Sequence, residues 1–251
     1  MAHEIDYQII GDDIQVVEIE LDPNEAVRAE VGAMLFMESG IQMQTTTGGG
    51  LFQGLKRMVT GDSFFISSFI NAGPGKQHVA FAAPYPGKII PIDLRQYGNE
   101  FICQKDGFLC AAQGIEIEVA FTRKMGAGFF GGEGFILQRL TGDGLAFIHA
   151  GGTIMERVLQ AGETLRVDTG CLVGMESSVD YDIQFVGGFK NALFGGEGLF
   201  LAKLTGPGKV YLQSVPFSRL ADRIISAAGY GRGVEQNRGI GGLLGGFISG
   251  E

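Results

Sequence analysis

The chain has 251 residues, of which 45% are hydrophobic and 19% are charged, so it is long enough and apolar enough to fold around a sizeable core. Its 42 glycines follow no Gly-X-Y period, which excludes a collagen-like protein and is typical of many tight turns between short strands. A net charge of −9 would repel phosphate backbones, so no nucleic-acid partner is predicted.

The N-terminal stretch MAHEIDYQII lacks the basic and long apolar regions of a signal peptide. No apolar run approaches the roughly 18 residues that a membrane-spanning helix needs. The cysteines Cys103, Cys110 and Cys171 form no C-x-x-C pair and are expected to be reduced thiols. Together these features predict a cytoplasmic protein, with peripheral attachment to a membrane as the other location considered.

The predicted elements are mainly strands. VVEIEL, residues 16–21, and IEIEVAF, residues 115–121, alternate apolar and polar side chains at period two, which indicates half-buried β-strands. Between them, NAGPGKQHVAFAAPYPGK, residues 71–88, is rich in proline and glycine and is predicted to form an extra loop or hairpin.

The sequence repeats itself along the chain. FFGGEGFILQRLTGDG, residues 129–144, aligns without gaps on LFGGEGLFLAKLTGPG, residues 193–208, with ten of sixteen positions identical. The segment that contains Glu25 and Gly32 also aligns without gaps on two later segments of the chain. These alignments superpose one glutamate and one glycine in each part, namely Glu25, Glu100 and Glu163, and Gly32, Gly107 and Gly170.

We therefore predict an all-β fold, an antiparallel β-sandwich or barrel-like body of three internal repeats with pseudo-threefold symmetry. One unit alone would hardly bury its own apolar face, so a single domain is expected over residues 1–228. The predicted units span about 15–89, 90–153 and 154–217.

One helix is predicted near the C-terminus. SRLADRIISAAG offers Ser218 as the N-cap, apolar residues at helical spacing and Gly229 as the stop, which gives a helix over residues 218–228. Residues 229–251 are rich in glycine and lack periodicity, so a flexible tail is expected there.

The most site-like motif is the G-x-G-x-x-G of residues 126–131. A dinucleotide fingerprint requires a helix directly after it, because the pyrophosphate sits on the helix N-terminus. Here the following segment, GFILQRLTG, reads as a strand, so we interpret the motif as a structural turn. No catalytic, cofactor-binding or metal-binding residue is predicted, and no cofactor.

Four charged residues remain as a candidate interaction surface. Glu133 and Glu197 each lie within Gly-Gly-Glu-Gly, where a carboxylate could hold a cation or transfer a proton, although exposed turn acids are the favoured interpretation. Lys56 and Arg57 adjoin a glycine-rich stretch and could meet an anionic lipid or a protein partner, although solvated cations are favoured. The repeated Glu25, Glu100 and Glu163 are expected to bond turn amides.

Several motifs together resemble a known family. GGGLFQGLKRMVTGDSFF, FFGGEGFILQRLTGDG, ETLRVDTGCLVGMESSVDYDIQ and the tail GGLLGGF are similar to the widespread bacterial family related to the fungal "altered inheritance of mitochondria" protein. The resemblance implies an all-β fold grouped with the tryptophan RNA-binding attenuation protein, and assembly into oligomers, with trimers favoured. Its mitochondrial relatives are linked to inner-membrane organisation. It supplies no activity and no catalytic residues.

The leading hypothesis is a non-enzymatic structural or interaction protein that forms homo-oligomers and presents its glycine-rich tail and the Lys56–Arg57 turn to a protein partner or a membrane surface. The alternative is a small-molecule-binding module or an unrecognised enzyme, with a pocket between repeats lined by Phe129, Phe130 and Glu133.

Overall fold

The structure is a computed structural model that describes residues 1–45, 66–123, 134–186 and 199–228. Residues 1–216 form one compact unit, and a second unit begins at Phe217. Antiparallel strands make up most of the first unit, which confirms the all-β prediction.

The described residues contain nineteen strands and one α-helix. The first seven strands are β1 (Asp6–Ile10), β2 (Val16–Leu21), β3 (Ala26–Glu30), β4 (Met34–Met37), β5 (Ile41–Thr45), β6 (Ile66–Asn71) and β7 (Gln77–Ala82). The next six are β8 (Gly87–Asp93), β9 (Glu100–Gln104), β10 (Phe108–Ala112), β11 (Glu116–Arg123), β12 (Phe135–Thr141) and β13 (Leu145–Gly151). The last six are β14 (Ile154–Leu159), β15 (Thr164–Asp168), β16 (Leu172–Glu176), β17 (Asp180–Val186), β18 (Leu199–Thr205) and β19 (Gly208–Gln213), followed by α1 (Phe217–Ala228).

These strands form four sheets. Their orders are β1-β2-β7-β4, β5-β6-β3-β10-β13-β8, β11-β12-β9-β16-β19-β14 and β15-β18-β17. Every sheet is open at both ends in the part of the chain that the structure describes, so the expected barrel-like closure is not what these strands adopt. The chain moves from sheet to sheet at many of its turns, and among the described strands no sheet returns to its own first strand.

Two of the corners where the chain changes sheets are Thr-Gly turns, at residues 141–142 and 205–206. β12 ends at Thr141 in one six-stranded sheet, and β13 begins at Leu145, shortly after Gly142, in the other. Gly142 has a φ of 150°, a conformation that favours glycine, and its N–H donates to the Asn99 carbonyl at 3.0 Å. Gly206 occupies the next such corner and donates to the Glu163 carbonyl at 3.0 Å. The described part of FFGGEGFILQRLTGDG is therefore a strand and a corner.

The prediction of an extra loop or hairpin over residues 71–88 was wrong. Residues 77–82 form β7, an interior strand between β2 and β4. Val79, Ala80 and Phe81 of this strand are fully buried. The prolines and glycines on either side mark its two ends, and the apolar run between them is what the core requires.

The core of the first unit is rich in phenylalanine. The fully buried phenylalanines are Phe69, Phe81, Phe101, Phe135 and Phe147. The rings of Phe69 and Phe81 meet edge to face, with 5.2 Å between their centroids. Such ring pairs stabilise the fold by more than the apolar area that they bury, so the core is both apolar and specifically packed.

Helix α1 confirms that a helix forms where the sequence predicts one. It begins at Phe217, one residue before the predicted start, so that Ser218 lies inside the first turn instead of preceding it. Ile224 and Ile225 on this helix are 59% and 52% exposed. Gly229 and the predicted tail of residues 229–251 lie outside the described residues.

Candidate functional site

The four charged residues of the predicted interaction surface, Lys56, Arg57, Glu133 and Glu197, lie outside the described residues. So do Phe129, Phe130 and the G-x-G-x-x-G of residues 126–131. The segment after that motif is described, and it is the strand β12. The helix N-terminus that a dinucleotide fingerprint needs is therefore replaced by a strand, as the sequence predicted.

Two of the three repeated glutamates bond turn amides, as predicted. The Asp22 N–H donates to Oε2 of Glu25 at 2.8 Å, and the Gln160 N–H donates to Oε2 of Glu163 at 2.8 Å. Glu100 differs, because its carboxylate pairs with the guanidinium of Arg139 at 3.0 Å. The first two contacts lie at turns and the third joins the neighbouring strands β9 and β12, so all three support a structural role.

Sequence reasoning missed the residue that precedes each glutamate. Asn24, Asn99 and Gly162 have φ angles of 72°, 65° and 78°, in the left-handed region that asparagine and glycine tolerate best. The signal was present as Asn-Glu, Asn-Glu and Gly-Glu at the aligned positions. The residue type there, and not the glutamate alone, fixes the turn.

Replacing Glu163 with alanine is expected to lower the free energy of unfolding by about 1 kcal/mol, because the Gln160 amide loses its charged acceptor at an exposed turn. Glu163→Gln keeps an acceptor oxygen and is expected to lose clearly less. Urea unfolding followed by circular dichroism measures both. Equal losses in the two variants would contradict the hydrogen-bond role.

The buried thiols and histidine are poorly suited to catalysis. Burial raises the pKa of the Cys103 thiol to about 12 and that of Cys110 well above its usual range, so neither supplies a thiolate near neutral pH. Burial lowers the pKa of His149 to about 4. Within the described residues no cluster of three or more His, Cys, Asp or Glu side chains is placed to hold a metal ion.

The clearest unpartnered surface is the edge strand β4. It pairs with β7 on one side, and no described strand pairs with its other side. Its side chains are large and apolar yet open to solvent, with Leu35 at 58%, Phe36 at 41% and Met37 at 40% exposure. An exposed apolar edge strand is a template for pairing with another chain.

A second open edge is β15. It pairs with β18, and its other side has no partner among the described strands. Arg166 in its centre is exposed, and its side chain makes no hydrogen bond or ion pair with another described residue. Sequence reasoning identified neither edge, because the residues of a strand do not show whether it lies at the end of a sheet.

No helix in the described part of the chain combines the length and the apolar character required to cross a membrane.

Comparisons of the chain with families, sequences and structures of known proteins give consistent matches. The family model described as "Mitochondrial biogenesis AIM24" matches residues 7–215. An uncharacterized protein of Streptococcus pyogenes serotype M6 is 28% identical over 214 residues, which cover 82% of this chain and 84% of that protein. A crystal structure of a Streptococcus pyogenes protein superposes with a TM-score of 0.73 at 23% identity, over 89% of this chain and all of that one, and shows the same fold.

Proposed function

The chain belongs to the mitochondrial biogenesis AIM24 family, and from this premise we propose that it is a non-enzymatic structural protein that self-associates. A homo-oligomer is the working form, with a trimer favoured. The observation that carries the proposal is the open apolar edge of β4, where Leu35, Phe36 and Met37 are 40–58% exposed. Covering that edge would remove apolar surface from water and satisfy its free backbone groups.

We also propose that the first unit consists of three repeats grouped with the tryptophan RNA-binding attenuation protein fold. The support is the order of strand pairing. β2 pairs with β7 and β7 with β4, while β6 lies between β5 and β3. The pairing order β2-β7-β4 recurs as β8-β13-β10 and as β14-β19-β16. The order β5-β6-β3 recurs as β11-β12-β9 and as β17-β18-β15.

The fold grouping does not bring RNA or tryptophan binding with it, because fold does not imply function. The net charge of −9 opposes an RNA partner. Contact with a protein partner or a membrane surface remains a prediction, as does the cytoplasmic location. The exposed apolar side chains Ile224 and Ile225 of α1 are suited to such a contact.

Size-exclusion chromatography with light scattering tests the self-association. The wild-type chain is expected to give a multiple of the chain mass, and Leu35→Lys is expected to reduce it to a single chain, because a lysine on an edge strand opposes pairing. Val158→Lys is the matched control, since Val158, at 62% exposure, is also an exposed aliphatic side chain on an edge strand, β14. It is expected to leave the mass unchanged.

A wild-type chain that stays monomeric over the whole accessible concentration range would contradict the proposal. So would a loss of mass that is equal in the Leu35→Lys and Val158→Lys variants, because that result would assign no special role to β4.

A further inference from the structure

Two strand pairs join parts of the chain that lie far apart in sequence. β3 pairs with β10, with Arg28 opposite Ala111. β9 pairs with β16, with Cys103 opposite Gly174. Each pair lies at the middle of a six-stranded sheet and joins three strands on one side to three on the other. We call these two pairs the internal junctions.

The two internal junctions share one register. The gapless alignment that places Glu25 on Glu100 also places Arg28 on Cys103. The gapless alignment that places Glu100 on Glu163 also places Ala111 on Gly174. The pair Arg28–Ala111 is thus carried onto the observed pair Cys103–Gly174. Because both internal junctions have the same register, we expect strands aligned with these edges to be complementary in that register wherever they meet.

The same alignments identify the two edges that are left over. β15 aligns with β3 and β9, and β4 aligns with β10 and β16. In the described residues β15 is the end of the three-stranded sheet and β4 the end of the four-stranded sheet. Placed side by side, the two sheets would run β17-β18-β15-β4-β7-β2, with β1 added beyond β2. That is the strand order of the six-stranded sheets.

Burial separates β4 from its aligned strands. In β10, Cys110, Ala111 and Ala112 are fully buried against β3, because that junction covers them. In β4 the aligned residues are Leu35, Phe36 and Met37, which are 40–58% exposed. The composition of β4 is that of a covered strand, and only its neighbour is missing.

The side chain of Arg166 is a second observation that indicates a missing neighbour beside β15. Its aligned residue Arg28 reaches across an internal junction and donates from Nη1 to the Ile115 carbonyl at 2.9 Å. Arg166 has the same residue type at the same position of β15, but its guanidinium has no partner among the described residues. The alignment of β4 with β10 places the corresponding acceptor at the Gly40 carbonyl, just beyond β4.

We propose that β15 of one chain pairs antiparallel with β4 of a second copy of the same chain, in the register of the internal junctions. Arg166 then lies opposite Phe36, and Leu165 lies opposite Met37 of the second copy. This inference rests on the proposed self-association and specifies its interface. The contact is heterologous, because each chain offers one edge of each kind, so it closes into a ring when the rotation between copies permits.

Disulfide trapping tests the register. In a Cys171→Ser background, which leaves only the fully buried Cys103 and Cys110, a chain carrying both Leu165→Cys and Met37→Cys is oxidised. Opposed residues of paired strands lie within disulfide reach, so a ladder of covalent multimers is expected on a non-reducing gel. Either substitution alone is expected to give single chains. Leu165→Cys with Phe36→Cys, one residue out of register, is the matched control and is expected to trap far less.

The outcomes separate this inference from the proposed function. Multimers by light scattering without trapping of the Leu165–Met37 pair would overturn the interface and leave self-association standing. A faster-migrating single chain would mean that β15 and β4 pair within one chain, which also overturns it. Covalent dimers from Phe36→Cys alone would indicate a symmetric β4–β4 contact instead. A monomer by light scattering would overturn both proposals.

Discussion

Replacing Phe101 with alanine is expected to lower the free energy of unfolding by about 3–5 kcal/mol. Phe101 lies on β9, is fully buried and packs edge to face on Tyr97 and Tyr211, with ring centroids 5.3 Å and 5.9 Å away. The substitution removes the whole ring and leaves a cavity that rigid strands on both sides cannot fill. Chemical denaturation followed by circular dichroism measures the loss.

The position of Phe101 makes the loss informative about the fold. It lies opposite Glu176 at an internal junction, and a β-carbon added at Gly174 would come within 2.6 Å of its ring. The ring and the absence of a side chain at Gly174 are therefore matched. Phe101→Leu keeps most of the apolar volume and is expected to lose less than half as much stability. A loss below about 1 kcal/mol for Phe101→Ala would show that the junction is not closely packed.

Local patterns predicted the strands well. VVEIEL became β2 over the predicted residues, and the alternation in IEIEVAF became most of β11. Period-two alternation works because it reflects one buried and one exposed face, which neighbouring residues in the chain already encode. The segment that became β7 failed because its proline and glycine flanks resemble a loop, while its burial depends on β2 and β4 on either side.

The sheets themselves could not be predicted from these patterns. The junction of β3 with β10 joins Arg28 to Ala111, and nothing local to either strand specifies the other. Pairing at such separation is decided by which faces the whole chain can bury together. Sequence alignment did place the strands in register with one another, but only the structure shows which of them become neighbours.

The open edge of β4, which forms the candidate site, was even less predictable from the sequence than the sheets. MLFM of β4 reads as core, and its aligned strands β10 and β16 are indeed buried. Its exposure follows from the position of β4 at the end of a sheet, which is a property of the topology and not of the residues. Lys56 and Glu133 were predicted as interaction residues because they lie in charged or glycine-rich stretches, whereas the open edges consist of ordinary strand residues.

The stability of the protein is expected to fall as the pH is lowered from about 6.5 to about 4, and His149 is the side chain responsible for a large part of the fall. His149 lies on β13, is 2% exposed and meets the ring of Tyr85 edge to face at 4.6 Å. Its Nδ1 has no hydrogen-bond partner among the described residues. Burial disfavours the charged form and lowers the pKa of His149 to about 4.

The direction of this change in stability with pH follows from the difference in proton binding between the folded and the unfolded chain. The unfolded chain has an ordinary histidine pKa of about 6.5, so below that pH it binds a proton that the folded chain still refuses. Stability is thus fully present above about pH 6.5 and is lost down to about pH 4, by roughly 3 kcal/mol at about 1.4 kcal/mol per pKa unit. Below pH 4 both states bind the proton and this contribution stays constant.

His149→Gln isolates the effect because glutamine cannot titrate. Carboxylates with lowered pKa values, such as Glu38 and Asp143, also weaken the fold in acid, but they do so equally in both proteins. The difference in unfolding free energy between wild type and variant, measured by urea titration at pH 7, 6, 5 and 4, is therefore the histidine contribution. It is expected to shift by roughly 3 kcal/mol in favour of the variant across that range. Parallel curves would mean that His149 is protonated in the folded protein and that water or another group reaches its ring.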